Sequence, residues 1–453
     1  MGISSLGVGS NILTQDVLDQ LRAADEAKFV TPITTKITAE TKKEDALEVI
    51  DASMKNFIDS ITAVGTQALY DERKATVVGT SATVTAASNS DIQDFTINVT
   101  KLATKQIEQS GSFASDTDSV SATDGQINLN IDGQDFTIDY VAGTTLKELK
   151  DLINDVAGDK VDATVVQIGA TDFRLFISSA DTGTTQNITI TDSTGTIDAR
   201  LTTGLTAIQT GVDANFTFNG QAIIRTSNNI TDLVTGLDIT LKEVGTSTVS
   251  VAQNQDNVIA KIDSFVEKYN TAITELNKAT KTSKDLADRG AFSAESTIKN
   301  MKQAIEDMFA SVGGGVGSLS DYGFDIDKDG KMSVNKTTLE AKMDADMDNV
   351  QAFFSGGTFT KADLSTVTLT GAFVEMSTIV KRYTDSGETL DGLSDSISES
   401  VTDLNERKTK AMERLDARYE ILKKQYAAYD LMISKFNSAS SMFTEMANAQ
   451  AAS

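Results

Sequence analysis

The 453-residue sequence contains no cysteine, no histidine, no tryptophan and a single proline, Pro32. Without histidine or cysteine there is no Ser-His-Asp triad, no Cys-His dyad, no imidazole or thiolate metal site, no iron–sulfur cluster and no haem ligand from those residues. What remains is carboxylate chemistry, Ser-Lys chemistry and oxygen-ligated metals. No run of about 18 apolar residues occurs, so no transmembrane helix is expected. The first ten residues, MGISSLGVGS, have no basic start and no apolar stretch, unlike a secretory leader. A chain without disulfides fits the cytosol or export by another route. Lack of cysteine and near-lack of proline also remove disulfide shuffling and prolyl isomerisation as slow refolding steps.

Basic charge is also scarce. Forty Lys and Arg face 65 Asp and Glu, a net charge of −25. Such a chain repels nucleic acid and anionic membranes, and no compensating basic patch is evident, so neither nucleic-acid binding nor membrane insertion is expected. With 40% hydrophobic and 23% charged residues the composition is that of a globular protein of several domains.

What is present divides the chain into ends and a middle. Residues 76–255 hold 9 basic and 22 acidic residues, a net of −13, and no methionine. Apolar residues alternate there: Phe95, Ile97, Val99; Ile127, Leu129, Ile131; Phe136, Ile138, Tyr140; Ile188, Ile190; Phe216, Phe218. Asp124-Gly125, Asp132-Gly133 and Asn219-Gly220 supply turn chemistry between them. A short helix is expected from Thr145 to Ile153. The middle thus reads as antiparallel sheet with little helix.

The ends read as helices. Thr31-Pro32 resembles an N-cap followed by proline at the first helical position. Leu47, Ile50, Met54, Phe57, Ile61 and Val64 follow at spacings of 3 and 4, as do Val258, Ile262, Phe265, Tyr269, Ala272 and Leu276. The longest row is Ile397, Val401, Leu404, Lys408, Ala411, Leu415, Arg418, Leu422, Gln425, Tyr429, Met432, Phe436, Ala439, Phe443 and Met446, twelve of its 15 positions apolar. A sustained period of 3.5 is the coiled-coil pattern. One apolar seam on a helix of this length needs partner helices. The N-terminal segment and the 258–276 helix are candidates within the chain, and other subunits are expected to complete the seam near the C-terminus. Residues 397–453 carry 8 basic and 8 acidic residues, a neutral end suited to a crowded assembly. The stretch 438–453, small and polar, is expected to stay mobile until a partner arrives.

Local motifs give no chemistry. Asp325-Ile326-Asp327-Lys328-Asp329-Gly330 begins like a calcium loop, but its twelfth position is Lys336 in place of glutamate. A hairpin, Phe324 and Ile326 against Met332 and Val334, is the better reading. Ser296-Thr297-Ile298-Lys299 lacks the companion motifs of acyl enzymes. Gly313 to Gly317 lacks the Lys-Ser/Thr of a phosphate loop. No catalytic residue, metal site or cofactor site is expected.

Ser4 to Asn11 followed by Thr14 to Leu21 resembles the N-terminal block of the flagellar hook-associated protein 2 family, the filament cap proteins. Asn98 to Ala103 with Ser110 to Phe113, the stretch 127–190 including Phe173 to Ala180, Leu319 to Gly330 with Val350 to Phe354, and the C-terminal heptads through Asp430 to Ser438 resemble further blocks of that family. The sequence departs from the family at Asp25-Glu26-Ala27-Lys28, where basic residues are usual. The resemblance implies a non-enzymatic homo-oligomeric ring at the distal tip of the bacterial flagellum. It retains exported flagellin and promotes its folding and insertion. It also implies secretion through the flagellar type III pathway, an export chaperone at the C-terminal helix and contact with a hook–filament junction protein.

The expected architecture is α+β and multidomain. Both chain ends form a helical coiled-coil stalk, and two mostly antiparallel β-rich head domains are inserted between them. The expected parts are a mobile terminal helical segment, 1–40; a helical leg, 41–75 with 256–400; a β-rich head, 76–112 with 210–255; a second head of flagellin-repeat type, 113–209; and the C-terminal coiled-coil helix, 401–453. The expected subunit and flagellin interface is the seam at Leu47, Ile50, Met54, Phe57, Ile61, Ile397, Val401, Leu404, Leu415, Leu422, Met432 and Phe436. An acidic head could alternatively bind host mucin or other glycans as an adhesin, in which case the fragment 76–255 binds mucin by itself. A filament subunit or junction protein with the same helical ends is a further alternative.

Overall fold

The computed structural model describes residues 14–451. The block Ser4–Asn11 therefore lies outside the described residues. Among them the helices are α1 (Gln15–Phe29), α2 (Thr31–Val64), α3 (Ala68–Asp71), α4 (Leu146–Ala157), α5 (Gln255–Thr280), α6 (Ser296–Ser311), α7 (Lys336–Ala345), α8 (Met347–Ser355), α9 (Ala372–Thr384) and α10 (Thr389–Ala451). The chain forms two compact units. One takes the chain up to Gln67 and from Asp256 onward; the other is Ala68–Gln255. The fold is α+β, with long helices at both ends of the sequence and antiparallel sheets between them.

The unit Ala68–Gln255 has two apolar cores. The first lies under a five-stranded sheet in the order Arg73–Val78, Gly245–Gln253, Asp94–Lys101, Ala214–Phe218, Gln221–Arg225, together with a three-stranded sheet containing Ala82–Ala86 and Leu237–Leu241. Phe95, Ile97, Val99, Phe216, Val249 and Ile239 fill it. The chain's first and last strands in this unit are neighbours, Arg73 opposite Gln253 and Val78 opposite Thr248. In the second core, Ile127, Leu129 and Ile131 alternate inward from Gly125–Ile131, and Leu175 and Ile177 from Asp172–Ser179. Helix α4 closes it with Leu146, Leu149 and Ile153. Thr145 and Glu148 cap that helix reciprocally: each side chain accepts the other's backbone N–H, at 3.2 and 2.9 Å. Those bonds from Thr145 hold the Glu148 carboxyl below the usual carboxylate range.

Two of the three expected turns are type I′ hairpin turns. Asp132 and Gly133 have φ of 50° and 72°, and Asn219 and Gly220 have 48° and 84°, the left-handed pairs that such turns require. Asp124-Gly125 instead opens a strand, its Asp124 carboxylate accepting the Ala142 N–H at 2.7 Å.

In the helical unit, α2 begins one residue earlier than the sequence suggests. Val30 occupies the cap and Pro32 the second position. The Phe324–Ile326 and Met332–Val334 hairpin forms as expected, with Phe324 opposite Val334. Asp327 Oδ1 accepts the backbone N–H groups of Asp329 and Lys331, both at 2.9 Å, and Lys336 pairs with Asp263 at 2.6 Å. The acidic loop is thus committed to its own turn. Helix α10 starts at Thr389, ahead of the first expected seam residue; Asp391 in its first turn accepts the Gly387 N–H at 2.9 Å. At 1.5 Å per residue its 63 residues span about 95 Å.

Candidate assembly interface on the C-terminal helix

Spacing places apolar rows on α2, α5 and α10, and packing decides which of them meet water. On α2, Leu47, Ile50, Met54, Phe57 and Ile61 are all buried. The Phe57 ring lies 5.7 Å from both Phe265 and Tyr269 of α5, and Phe265 lies 4.9 Å from Phe373 of α9. Helices α9 and α10 also pack along α2. The row on α5 is buried throughout. These five α2 residues form the unit's own core, so they are not surface in this chain. The reason is that α9 and the start of α10 lie along α2 on one side while the rings of α5 meet it on another. Burial lifts the Tyr269 phenol well above its ordinary range, with Glu306 and Asp327 nearby adding to the rise.

The row on α10 divides in two. Its proximal part is covered: Ile397 and Leu415 are buried, and Val401, Leu404 and Leu422 are half-buried. Here α1 lies on α10 through a small cluster of Leu18, Val30, Leu415 and Tyr419, with Met412, Leu422 and Tyr426 at its margin. Arg22 Nη2 reaches Asp416 at 2.6 Å. Asp25 accepts the Tyr419 hydroxyl at 2.9 Å and lies 3.5 Å from Arg418. The acidic residue that departs from the family pattern therefore has a partner on α10. Burial, then the bond to Asp25, raises the Tyr419 phenol.

The distal part is open. Met432 is 65% exposed, Phe436 75% and Phe443 71%, with Tyr429 and Met446 also exposed on the same row. Of the twelve expected interface residues, only Met432 and Phe436 are exposed.

Sequence reasoning missed Met412, Tyr419 and Tyr426, which face α1 where the expected row has Arg418 and Gln425. Residues 412, 415, 419, 422 and 426 also alternate 3 and 4, sharing Leu415 and Leu422 with the expected row. Two tyrosines at that spacing were the available signal. Among the described residues no group of His, Cys, Asp and Glu is placed to hold a metal ion, and no helix is long and apolar enough to cross a membrane. The arrangement can bind other helices; it brings no reactive groups together.

Comparison with known proteins follows this geometry. The family described as Flagellar hook-associated protein 2 N-terminus matches residues 10–106, and Flagellar hook-associated protein 2 C-terminus matches 211–438. The Escherichia coli (strain K12) Flagellar hook-associated protein 2 is 30% identical over 468 aligned residues, covering 98% of this chain and 97% of that protein. The Campylobacter jejuni protein of the same name is 28% identical, covering 86% of this chain and 69% of its own length. The crystal structure of the flagellar cap protein FliD D1-D2-D3 domains from Escherichia coli superposes with a TM-score of 0.61 at 22% identity, over 78% of this chain and 99% of that one. That likeness concerns the fold.

Proposed function

The chain belongs to the flagellar hook-associated protein 2 family, and from that premise we propose that it caps the distal tip of a bacterial flagellar filament as a ring of identical copies. The cap retains exported flagellin and shelters its folding and insertion, without chemistry. The observation that carries this reading is the uncovered apolar row from Tyr429 to Met446 at the far end of α10. A row of that size left in water is costly to a solitary molecule and marks a docking face. Flagellin and neighbouring copies are its occupants at the filament tip, and an export chaperone covers it beforehand. The unit Ala68–Gln255, with its excess of acid, is the head.

The test is electron microscopy and motility. The purified chain should form small closed rings; long fibres would indicate a filament subunit instead. The triple substitution Met432→Ser, Phe436→Ser, Phe443→Ser should abolish tip attachment and swimming while the circular dichroism spectrum stays unchanged. Normal filament growth by that variant would overturn the proposal.

A further inference from the structure

Helix α1 ends at Phe29 and α2 begins at Thr31, so the chain turns at Val30, which packs on α10. The turn leaves a groove of about 480 Å³ against α10. Its floor is apolar, with Phe29 and Ile33 from the turn and Ala411 and Leu415 from α10. Its rim is basic: Arg407, Lys410, Arg414 and Arg418, spaced 3, 4 and 4, are all exposed. Among the described residues no carboxylate lines the groove. No run of bases shows in the sequence, because Glu413, Asp416 and Glu420 interleave with them. The helix does the sorting: residues three and four apart share a face, and Asp416 is turned to Arg22.

We infer that this groove binds a single-chain anionic amphiphile of the medium-chain fatty carboxylate class, its head on the bases and its tail on the floor. In a chain of net charge −25 a four-base rim is a local reversal, and a cleft lined by one sign concentrates the opposite one. The volume is that of small-ligand sites, which are mostly apolar with a few polar groups that fix orientation. Three of the bases hold acids within the chain: Arg407 has Asp403 at 2.8 Å, Lys410 has Glu406 at 3.3 Å and Arg418 has Asp25 at 3.5 Å. Such exposed pairs are worth little and exchange readily. Among the described residues Arg414 has no acidic partner, so it is the base left over for a head group. A guanidinium meets a carboxylate with two parallel N–H donors. Phe29 is 45% exposed, apolar surface that a tail would cover.

Occupancy would tie the end of α1 and the start of α2 to α10. The site is then a clamp. Filled, it adds to the small cluster of Leu18, Val30, Leu415 and Tyr419; empty, it leaves α1 to that cluster and its ion pairs. The site does not rest on the cap reading, and it stands even if the chain forms no ring.

Isothermal titration calorimetry of the full chain with dodecanoate, kept below its micelle concentration, tests this. A single equivalent should bind per chain. Inorganic sulfate, a head without a tail, and dodecyl maltoside, a tail without a charge, should not bind. Lys410→Gln with Arg414→Gln, both at exposed positions, should weaken dodecanoate at least about tenfold, the loss of a charged hydrogen bond, with the circular dichroism spectrum unchanged. Phe29→Ser should weaken it too, and dodecanoate should slow amide exchange in α1 of the unaltered chain. The open row at the far end of α10 is the rival site. The triple substitution Met432→Ser, Phe436→Ser, Phe443→Ser separates the two, because that variant should bind dodecanoate undiminished. Absence of binding, binding that Lys410→Gln with Arg414→Gln leaves intact, equal binding of dodecyl maltoside, or loss of binding in the triple variant would each overturn the site. Closed rings from a chain that ignores dodecanoate reject the site and spare the cap.

Discussion

On α2, Met54, Phe57 and Ile61 touch no water; on α10, Phe436 and Phe443 stand mostly in it. Both helices lie in the same unit and repeat apolar residues at spacings of 3 and 4. The difference lies in what the rest of the chain supplies. Helix α2 is met by α9, α10 and the rings of α5, whereas α10 runs on beyond Tyr426, the last margin residue of the α1 cluster. The proximal stretch of α10, covered by α1, α2 and α9 along one side, stands between the two cases. Periodicity states that a helix wants a partner, and chain length and connectivity decide whether the partner is internal.

Four substitutions grade this contrast. Phe57→Ala removes a ring packed on Phe265 and Tyr269. It should cost about 3–5 kcal/mol, a large share of a typical total, seen as a collapse of the denaturation midpoint. Leu415→Ala strikes the small α1–α10 cluster. About 2 kcal/mol is expected, the low end for a buried leucine, registered chiefly as faster amide exchange in α1. Thr145→Ala, in the other unit, removes one half of a reciprocal cap. It should lower that unit's stability by about 1 kcal/mol without touching exchange in α2 or α10. Phe436→Ser should shift monomer stability by less than about 0.5 kcal/mol, because nothing in the chain covers the ring. A thermal midpoint that falls with Phe436→Ser, or stands firm with Phe57→Ala, would erase the distinction between the two rows.

Much of this was readable beforehand, and the parts that were not have identifiable causes. The strands around Phe95, Ile127 and Phe216 and the turns at Asp132-Gly133 and Asn219-Gly220 follow from alternation and from residues that tolerate positive φ. The rows on α2, α5 and α10 were also plain. Their covering was not, because Met54 and Phe436 look alike until the packing of α9 and α5 is known. The first turns of α10 were hidden by Gly387, Gly392 and a run of serines, poor helix formers held in place by buried Leu390 and the Asp391 cap. Tyr419 and Tyr426 were passed over because the neighbouring register contained more purely apolar positions.

The pairing of Arg73 with Gln253, continued by the Asn254 N–H donating to the Glu72 carbonyl at 3.0 Å, means that the polypeptide departs and returns side by side. Two strands in that relation are about 5 Å apart. Whatever is threaded between them makes no demand on the helices' spacing, so the loop it fills is a socket. Lengthening, shortening or exchanging the insert leaves the two strands at its base untouched, so lineages are at liberty to remodel it without disturbing the helices on either side in sequence.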